Sequence, residues 1–214
     1  MERTPHTKPL KTWKKWKIVI LIDLIILGII ICFFGFIRPF SHPSIKINGV
    51  YIENPRDLPD IYLIDQHGNA LTKKRLEGHW TLIFFGFTHC PMICPTTLDA
   101  LNKMYAILNK RISPALLPQV VFISVDPEHD TIERLKQFIN KYNSQFIAAR
   151  TDNDKIKNIE KQLSVPVKNI NGSIAHDTDI LLVNPKGKVQ AYFLYPHYPE
   201  SMADDYQKIV AIKK

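Results

Sequence analysis

Two cysteines, Cys90 and Cys94, are the residues of this 214-residue chain whose types and spacing most directly suggest chemistry. They stand four positions apart at the predicted start of a helix, where side chains at i and i+4 share one face, so both sulfurs can reach one atom. The helix dipole and the free backbone N–H groups at such a terminus stabilise a thiolate, which is both a metal ligand and a redox nucleophile. The pair therefore indicates metal binding or thiol redox chemistry.

The spacing alone leaves three roles open for this pair. Thioredoxin-type oxidoreductases use C-x-x-C, whereas the extra residue here widens the chelate and accommodates a soft ion such as copper(I) between two sulfurs. The same two thiols can also act as a redox-active disulfide. Because a dithiol tends to oxidise in an exported compartment, a purely stabilising disulfide is the third role.

A β-loop-α unit is predicted to position the cysteines. Residues 80–87 form an almost unbroken apolar run of β-forming residues, typical of a strand buried on both faces, and the run ends directly before the Cys90 loop. Apolar residues then recur at helical spacing over residues 96–108. A second buried strand at 120–125 and a helix at 130–142, opened by a D-x-x-E start signal, repeat this alternation.

The remaining patterns complete an α/β domain. A strand at residues 61–64 enters a turn at 65–69, which predicts a first hairpin. The chain then shows a short apolar segment, a helix, a strand–turn–strand hairpin and a closing helix, at residues 146–149, 154–163, 180–194 and 199–212. This order, with two cysteines where the first central strand meets its helix, predicts an α/β thioredoxin-like fold with an added N-terminal hairpin.

An apolar run near the N-terminus predicts one transmembrane helix before the domain. Residues 18–37 contain a single charged residue, and twenty helical residues span about 30 Å, the thickness of a bilayer core. A cleaved signal peptide is the alternative, but the run is longer than a typical signal h-region and no A-x-A site follows it. Asp23 and Cys32 are interpreted as a carboxylate near the headgroups and a small apolar residue of the span.

The positive charges around this run predict its orientation. Six Lys and Arg residues precede it and only Arg38 follows closely, which places the N-terminus in the cytoplasm. We predict a basic N-terminus at residues 1–17, a transmembrane anchor at 18–38, a linker at 39–50 and a thioredoxin-like domain at 51–214. Because the short, lysine-rich N-terminus lacks the character of a transit peptide, we expect a single-pass bacterial inner-membrane protein with a periplasmic domain.

Charge and composition argue against other function classes. In residues 1–38, seven Lys and Arg stand against two acidic residues, so this segment carries +5 of the net charge of +8. The rest of the chain has no clustered basic stripe, and no nucleic-acid partner is expected. Three cysteines are too few for a disulfide-rich scaffold, and no fixed repeat period indicates a solenoid.

Three separated motifs resemble those of the Sco/SenC family of copper chaperones. The first runs from Phe85 through both cysteines to Thr96, the second begins at Ser124 as SVDPE, and the third is a histidine before an Ile-Leu-Leu-Val strand. The resemblance covers about residues 45–210 and includes the N-terminal anchor. It implies a thioredoxin-like periplasmic metallochaperone, loaded by an upstream copper donor, that helps assemble the dinuclear copper site of cytochrome c oxidase.

The resemblance also implies the metal ligands, which correspond to Cys90, Cys94 and His176 and would hold one copper per chain. Two thiolates and one imidazole suit three-coordinate copper(I), and the histidine allows copper(II) as well. The chain departs from the family pattern at Met92, where Asp is frequent, and around His176, where Ala-His-Asp177 stands in place of Asp-His-Ser. Met92 either adds a thioether ligand or fills a gap, and packing is the favoured interpretation.

Polar residues beside these motifs are further candidates. Asp126 follows a central strand at the edge where doubly wound sheets place their sites, so it either supports the metal loop or partner docking, or is simply a turn carboxylate. His89 lies at a strand-to-loop junction and is expected to point away from Cys90, so it is not predicted as a ligand. Asp130 is interpreted as the N-cap of the following helix.

Two classes of function stay open. As a transfer protein, the chain holds copper and passes it on by ligand exchange, without turning over a substrate. As an enzyme, it is a thiol-disulfide oxidoreductase in which one cysteine attacks a partner's disulfide and the other resolves the mixed disulfide. A thiol peroxidase shares the fold, but the polar activators that it needs do not stand out. His176 discriminates between the first two, because only copper transfer needs a third ligand.

Overall fold

The computed structural model describes residues 12–36, 45–163, 165, 167–170, 173–176 and 178–212, and the chain divides into two compact units, Met1–Ser44 and Ile45–Lys214. In the first unit, helix α1 (Thr12–Phe36) has 25 residues. Its Trp16–Phe33 window has a mean hydropathy of 2.7 and is not buried by any other part of the structure. By length and composition, this helix is able to cross a membrane.

The second unit is a layered α/β domain. Its strands are β1 (Val50–Asp57), β2 (Tyr62–Asp65), β3 (Ala70–Thr72), β4 (Thr81–Gly86), β5 (Gln119–Ser124), β6 (Ile147–Arg150), β7 (Val167–Ile170), β8 (Ser173–His176), β9 (Ile180–Asn184) and β10 (Lys188–Phe193). Its helices are α2 (Lys73–Leu76), α3 (Ile93–Arg111), α4 (Ile132–Asn140), α5 (Asn153–Leu163) and α6 (Pro199–Ile212), with a 3₁₀ turn at Pro114–Leu116.

One sheet organises this domain. In the part of the chain that the structure describes, its order is β1-β10-β9-β4-β5-β6-β2-β3, and β7 pairs with β8 in a separate ribbon. The central strands β4, β5 and β6 are parallel to one another, and the other neighbours are antiparallel. The carboxyl ends of β4 and β5 therefore meet at one edge, where Gly86 pairs with Ser124.

The continuous apolar run of β4 is explained by burial on both faces. Leu82 and Phe84 point into a core that also contains residues of α3, α4 and α6. The alternate residues Ile83 and Phe85 point into a second core, built with α5 and the β2–β3 hairpin. All six β4 residues are buried, as the sequence pattern predicts for a central strand of a sheet covered on both faces.

The predicted α/β thioredoxin-like architecture with its added β2–β3 hairpin is confirmed. In the turn of that hairpin Gly68 has φ +80°, and its N–H donates to the Asp65 carbonyl at 2.9 Å. The pattern did not predict β1, α2 or the β7–β8 ribbon.

The domain begins earlier than the sequence analysis places it. Residues 45–50, predicted as linker, belong to the compact unit. The Asn48 backbone N–H donates to the buried Asp205 carboxylate of α6 at 2.7 Å, and the Asn48 side-chain amide donates to the same group at 3.1 Å. Ile47 packs against the core to which α6 also contributes. These contacts join the start of the domain to its last helix.

Candidate metal centre

The cysteine loop lies at the edge of the sheet where β4 ends and α3 begins. Cys90 follows β4 and its N–H donates to the Phe87 carbonyl at 3.3 Å. Cys94 lies in the first turn of α3, and its backbone N–H donates to Cys90 Sγ at 3.4 Å. Because α3 begins at Ile93, Cys90 lies before the helix and the prediction that the two cysteines share a helix face is wrong. The Cys90 sulfur instead accepts from an N–H of the helix start, where a thiolate is stabilised.

The two thiols are not joined in a disulfide and differ strongly in exposure. Cys90 is half-buried and packs against both hydrophobic cores, whereas Cys94 is 0% exposed. Burial is the main reason that the pKa of the Cys94 thiol is raised well above its usual value, and the neighbouring Cys90 adds to the effect. A hydrogen bond with the Phe87 backbone acts in the opposite direction. Cys94 is thus a protonated thiol at neutral pH unless a cation replaces its proton.

Gly86 makes room for the Cys94 sulfur. A Cβ added to Gly86 would lie 2.8 Å from Cys94 Sγ and 2.7 Å from Phe122 Cε2. Both distances are shorter than Cβ contacts in folded proteins, so only glycine fits here without a shift of its neighbours. The last residue of β4 is therefore part of the thiol pocket.

Asp130 fixes Thr88, the residue between β4 and the cysteine loop, by hydrogen bonds, a role that the sequence analysis missed. Its carboxylate is fully buried and accepts hydrogen bonds from the Thr88 backbone N–H at 3.1 Å, the Thr88 hydroxyl at 2.5 Å and the Ser124 hydroxyl at 2.6 Å. Its interpretation as an N-cap is wrong. Thr131 is the N-cap of α4, and its side chain accepts from the Arg134 N–H.

Asp126 contacts two histidines, His89 and His129, beside the cysteine loop. Its carboxylate lies 2.9 Å from His129 Nδ1 and 3.4 Å from His89 Nε2, and the two imidazole rings are 5.5 Å apart. The hydrogen bond and the charge of Asp126 raise the pKa of His129. The His89 ring is thus turned toward Asp126. The sequence analysis did not anticipate the pairing with His129.

Met92 lies between the cysteines on the surface of the loop. Its side chain is 70% exposed, so the favoured interpretation that it fills a gap in the packing is wrong. Met92 precedes the first residue of α3, and its carbonyl accepts from the Thr96 N–H at 3.1 Å and the Thr96 hydroxyl at 2.8 Å. These bonds fix the Met92 backbone and leave the side chain in solvent.

The third predicted ligand lies in the β7–β8 ribbon. His176 ends β8, where its backbone pairs with Val167. Its side chain, and Asp177 altogether, lie outside the described residues. Among the side chains that the structure does describe, no three of His, Cys, Asp and Glu are grouped to hold a metal ion. Cys90 and Cys94 therefore supply two soft sulfur donors, which fit copper(I) if a third ligand completes them.

Comparison with known proteins identifies the family. The model of the SCO1/SenC family matches residues 54–211. The chain belongs to the SCO1/SenC family. It is 31% identical over 196 residues to the SCO2-like protein RC0895 of Rickettsia conorii, an alignment that covers 88% of this chain and 94% of the relative.

Solved structures of SCO1/SenC relatives agree with this assignment. Bradyrhizobium japonicum ScoI with copper bound superposes with a TM-score of 0.63 and 31% identity, over 71% of this chain and 98% of that one. Arabidopsis thaliana ScoI with copper bound gives a TM-score of 0.67 and 27% identity, over 72% of this chain and 98% of that one. The fold of the domain is therefore that of Sco proteins.

Proposed function

We propose that this SCO1/SenC protein is a membrane-anchored copper chaperone that holds one copper ion at Cys90, Cys94 and His176. The observation that carries the proposal is the pair of reduced thiols where β4 passes into α3, one half-buried and one fully buried, four positions apart. Thiolate sulfur is a preferred ligand of copper(I), and a histidine as third ligand also accommodates copper(II). The copper-bound structures of two ScoI relatives support this choice of metal.

Binding of copper(I) would displace the thiol protons. Cys90 is the sulfur that solvent can reach, and the Cys94 N–H stabilises its thiolate. Cys94 would then lose its proton as its sulfur joins the metal, because the positive ion offsets the cost of a buried thiolate. Two protons leave when both thiols are protonated beforehand, so copper uptake is expected to strengthen as pH rises.

The cargo would pass to the copper-site subunit of cytochrome c oxidase, after loading by an upstream copper donor. Transfer by ligand exchange requires a partner to reach the bound ion, and the half-buried Cys90 is the ligand through which its groups can enter. The site lies at the carboxyl end of β4, and Asp126 follows the neighbouring strand β5 and lies 3.4 Å from His89 of the cysteine loop. Asp126 is a candidate for orienting this loop or for contacting the partner.

The N-terminal helix and its flanking charges support the proposed location. Helix α1 is long and apolar enough to anchor the domain in a bilayer. The excess of Lys and Arg before it supports a cytoplasmic N-terminus and a periplasmic domain at the bacterial inner membrane.

The test is copper stoichiometry and absorption of the reduced full-length chain in neutral detergent. One copper per chain, with sulfur-to-copper(II) charge-transfer bands that are lost in Cys90→Ala, Cys94→Ala and His176→Ala, is the expected result. His67→Ala, in the exposed β2–β3 turn, is the matched control and should bind copper like the wild type. Full binding by the His176→Ala variant would contradict the proposed ligand set.

The second candidate function is a thiol-disulfide oxidoreductase, favoured by the unequal exposure of the two thiols. In such an enzyme the accessible Cys90 would attack a partner's disulfide and Cys94 would then attack Cys90 to release the reduced partner. Reductase activity that survives His176→Ala, in a chain that binds no copper, would establish this function instead.

A further inference from the structure

Met92 is the most exposed large apolar side chain among the described residues of the domain. It is 70% exposed, whereas the other methionines that the structure describes, Met104 and Met202, are 1% and 4% exposed. Two hydrogen bonds from Thr96 hold the Met92 carbonyl. The Met92 side chain is therefore exposed although its backbone is fixed. Burial does not account for a methionine at this position.

Three sulfur-containing residues stand at alternate positions of this segment, Cys90, Met92 and Cys94, and their side chains differ in exposure. Met92 is open to solvent, Cys90 is half-buried and Cys94 is completely buried. An ion that arrives from solvent therefore meets the thioether first and the Cys94 thiol last. A thioether is a soft ligand that has no proton to lose, whereas a thiol must be deprotonated before it binds.

We propose that the Met92 thioether captures incoming copper(I) and passes it to Cys90 and Cys94, an inference that rests on the proposed copper-chaperone function. A copper–thioether bond forms as one ligand of the incoming complex leaves with its electron pair. The Cys90 thiolate then binds the ion, the Cys94 thiol gives its proton to water as its sulfur binds, and the thioether is released. Copper stays in the +1 state throughout, so no electron is transferred.

The kinetic test uses the reduced full-length chain in neutral detergent, with the copper(I)–bicinchoninate complex as the source of copper. Met92→Leu keeps an apolar side chain of similar volume and removes only the sulfur. We expect it to slow copper uptake at least about fivefold, with little change in equilibrium affinity, because the thioether is absent from the final ligand set. Met202→Leu is the matched control at a buried methionine and should load at the wild-type rate.

The binding test does not depend on the cysteine site. In the Cys90→Ala/Cys94→Ala chain with ¹³C-methyl methionine, added copper(I) should shift the Met92 methyl resonance, which Met92→Leu identifies by its loss. The resonances of Met104 and Met202 should stay in place.

The outcomes separate this inference from the proposed function. Wild-type loading kinetics in Met92→Leu, or a Met92 methyl resonance that does not respond to copper(I), overturns the role of Met92. Equal slowing by Met92→Leu and Met202→Leu also overturns it, because that result indicates a general packing effect. If the methyl resonance shifts but the cysteines of the wild-type chain take no copper from bicinchoninate, the chaperone function fails while copper(I) binding by the Met92 thioether stands.

Discussion

Cys94 Sγ occupies the space that a Cβ at Gly86 would need, since the two would lie only 2.8 Å apart. The Gly86→Ala substitution is therefore expected to destabilise the domain by about 1–3 kcal/mol, the usual cost of overpacking a core. Urea unfolding of the full-length chain in detergent, followed by tryptophan fluorescence, measures this change.

A double-mutant cycle attributes the cost to the sulfur. In the Cys94→Ala background, Gly86→Ala should cost less by about 1 kcal/mol, because one of its two clashes is gone. The contact with Phe122 Cε2 at 2.7 Å remains and keeps the rest of the penalty. Equal costs in both backgrounds would show that Cys94 does not constrain residue 86.

Asp130 is expected to be a major determinant of stability next to the cysteine loop. Asp130→Ala leaves the Thr88 N–H and two hydroxyl donors without their acceptor, and each buried donor left unpaired costs about 1–3 kcal/mol. Asp130→Asn should be milder because an amide oxygen still accepts. Asp99→Ala, which removes an exposed ion pair with Lys103, is the control and should change the free energy of unfolding by less than about 1 kcal/mol.

The two thiols should react with iodoacetamide in a fixed order. Cys90 is half-buried, whereas Cys94 has no exposed surface and a raised thiol pKa. Alkylation of the native reduced chain at neutral pH, followed by peptide mass spectrometry, should modify Cys90 at least about tenfold faster than Cys94. In urea the two should react at similar rates. Faster native labelling of Cys94 would contradict the burial described above.

His129 should titrate above its usual range. The hydrogen bond and charge of Asp126 favour its protonated form, so the resulting stabilisation is present below the unfolded-state pKa and is lost as pH rises through the folded-state pKa. Imidazole NMR should find this pKa lowered in Asp126→Asn. Glu128→Gln should lower it less, because Glu128 is a smaller cause of the shift. An unchanged His129 pKa in Asp126→Asn would refute the pairing.

The elements that carry the cysteines could be predicted because their patterns are local. The buried strand β4 follows from an unbroken apolar run, and the spacing of Cys90 and Cys94 beside a predicted helix start already implies that the two residues lie close together. Asp130 was assigned to the wrong contact because either it or Thr131 fits a helix start in this segment. The choice depends on Thr88, which lies 42 positions away and which no local pattern connects to Asp130.

Strand β1 and the side chain of Met92 show a second limit of sequence patterns. β1 is an edge strand that contains Pro55 and has no fully buried residue, so it lacks the apolar alternation by which strands are found. Its pairing with β10 shifts register between Tyr51 and Arg56. The presence of a methionine in a loop likewise does not indicate whether its side chain points into the core or into solvent. Here the hydrogen bond from Thr96 to the Met92 carbonyl fixes a backbone conformation in which the Met92 side chain is exposed.

The bond between Asn48 and Asp205 lies where a mechanical pull on the N-terminal end of the domain would first act. A pull on the chain that enters at residue 45 acts first on this bond and on the pairing of β1 with β10. Both lie on the β1 side of the sheet, and β10 and β9 separate that side from β4. Tension on the N-terminal tether is thus expected to load α6 and the edge strand first. Because the Arg111–Asp204 ion pair and a shared core join α6 to α3, that helix is the route by which tension would reach the sulfur loop.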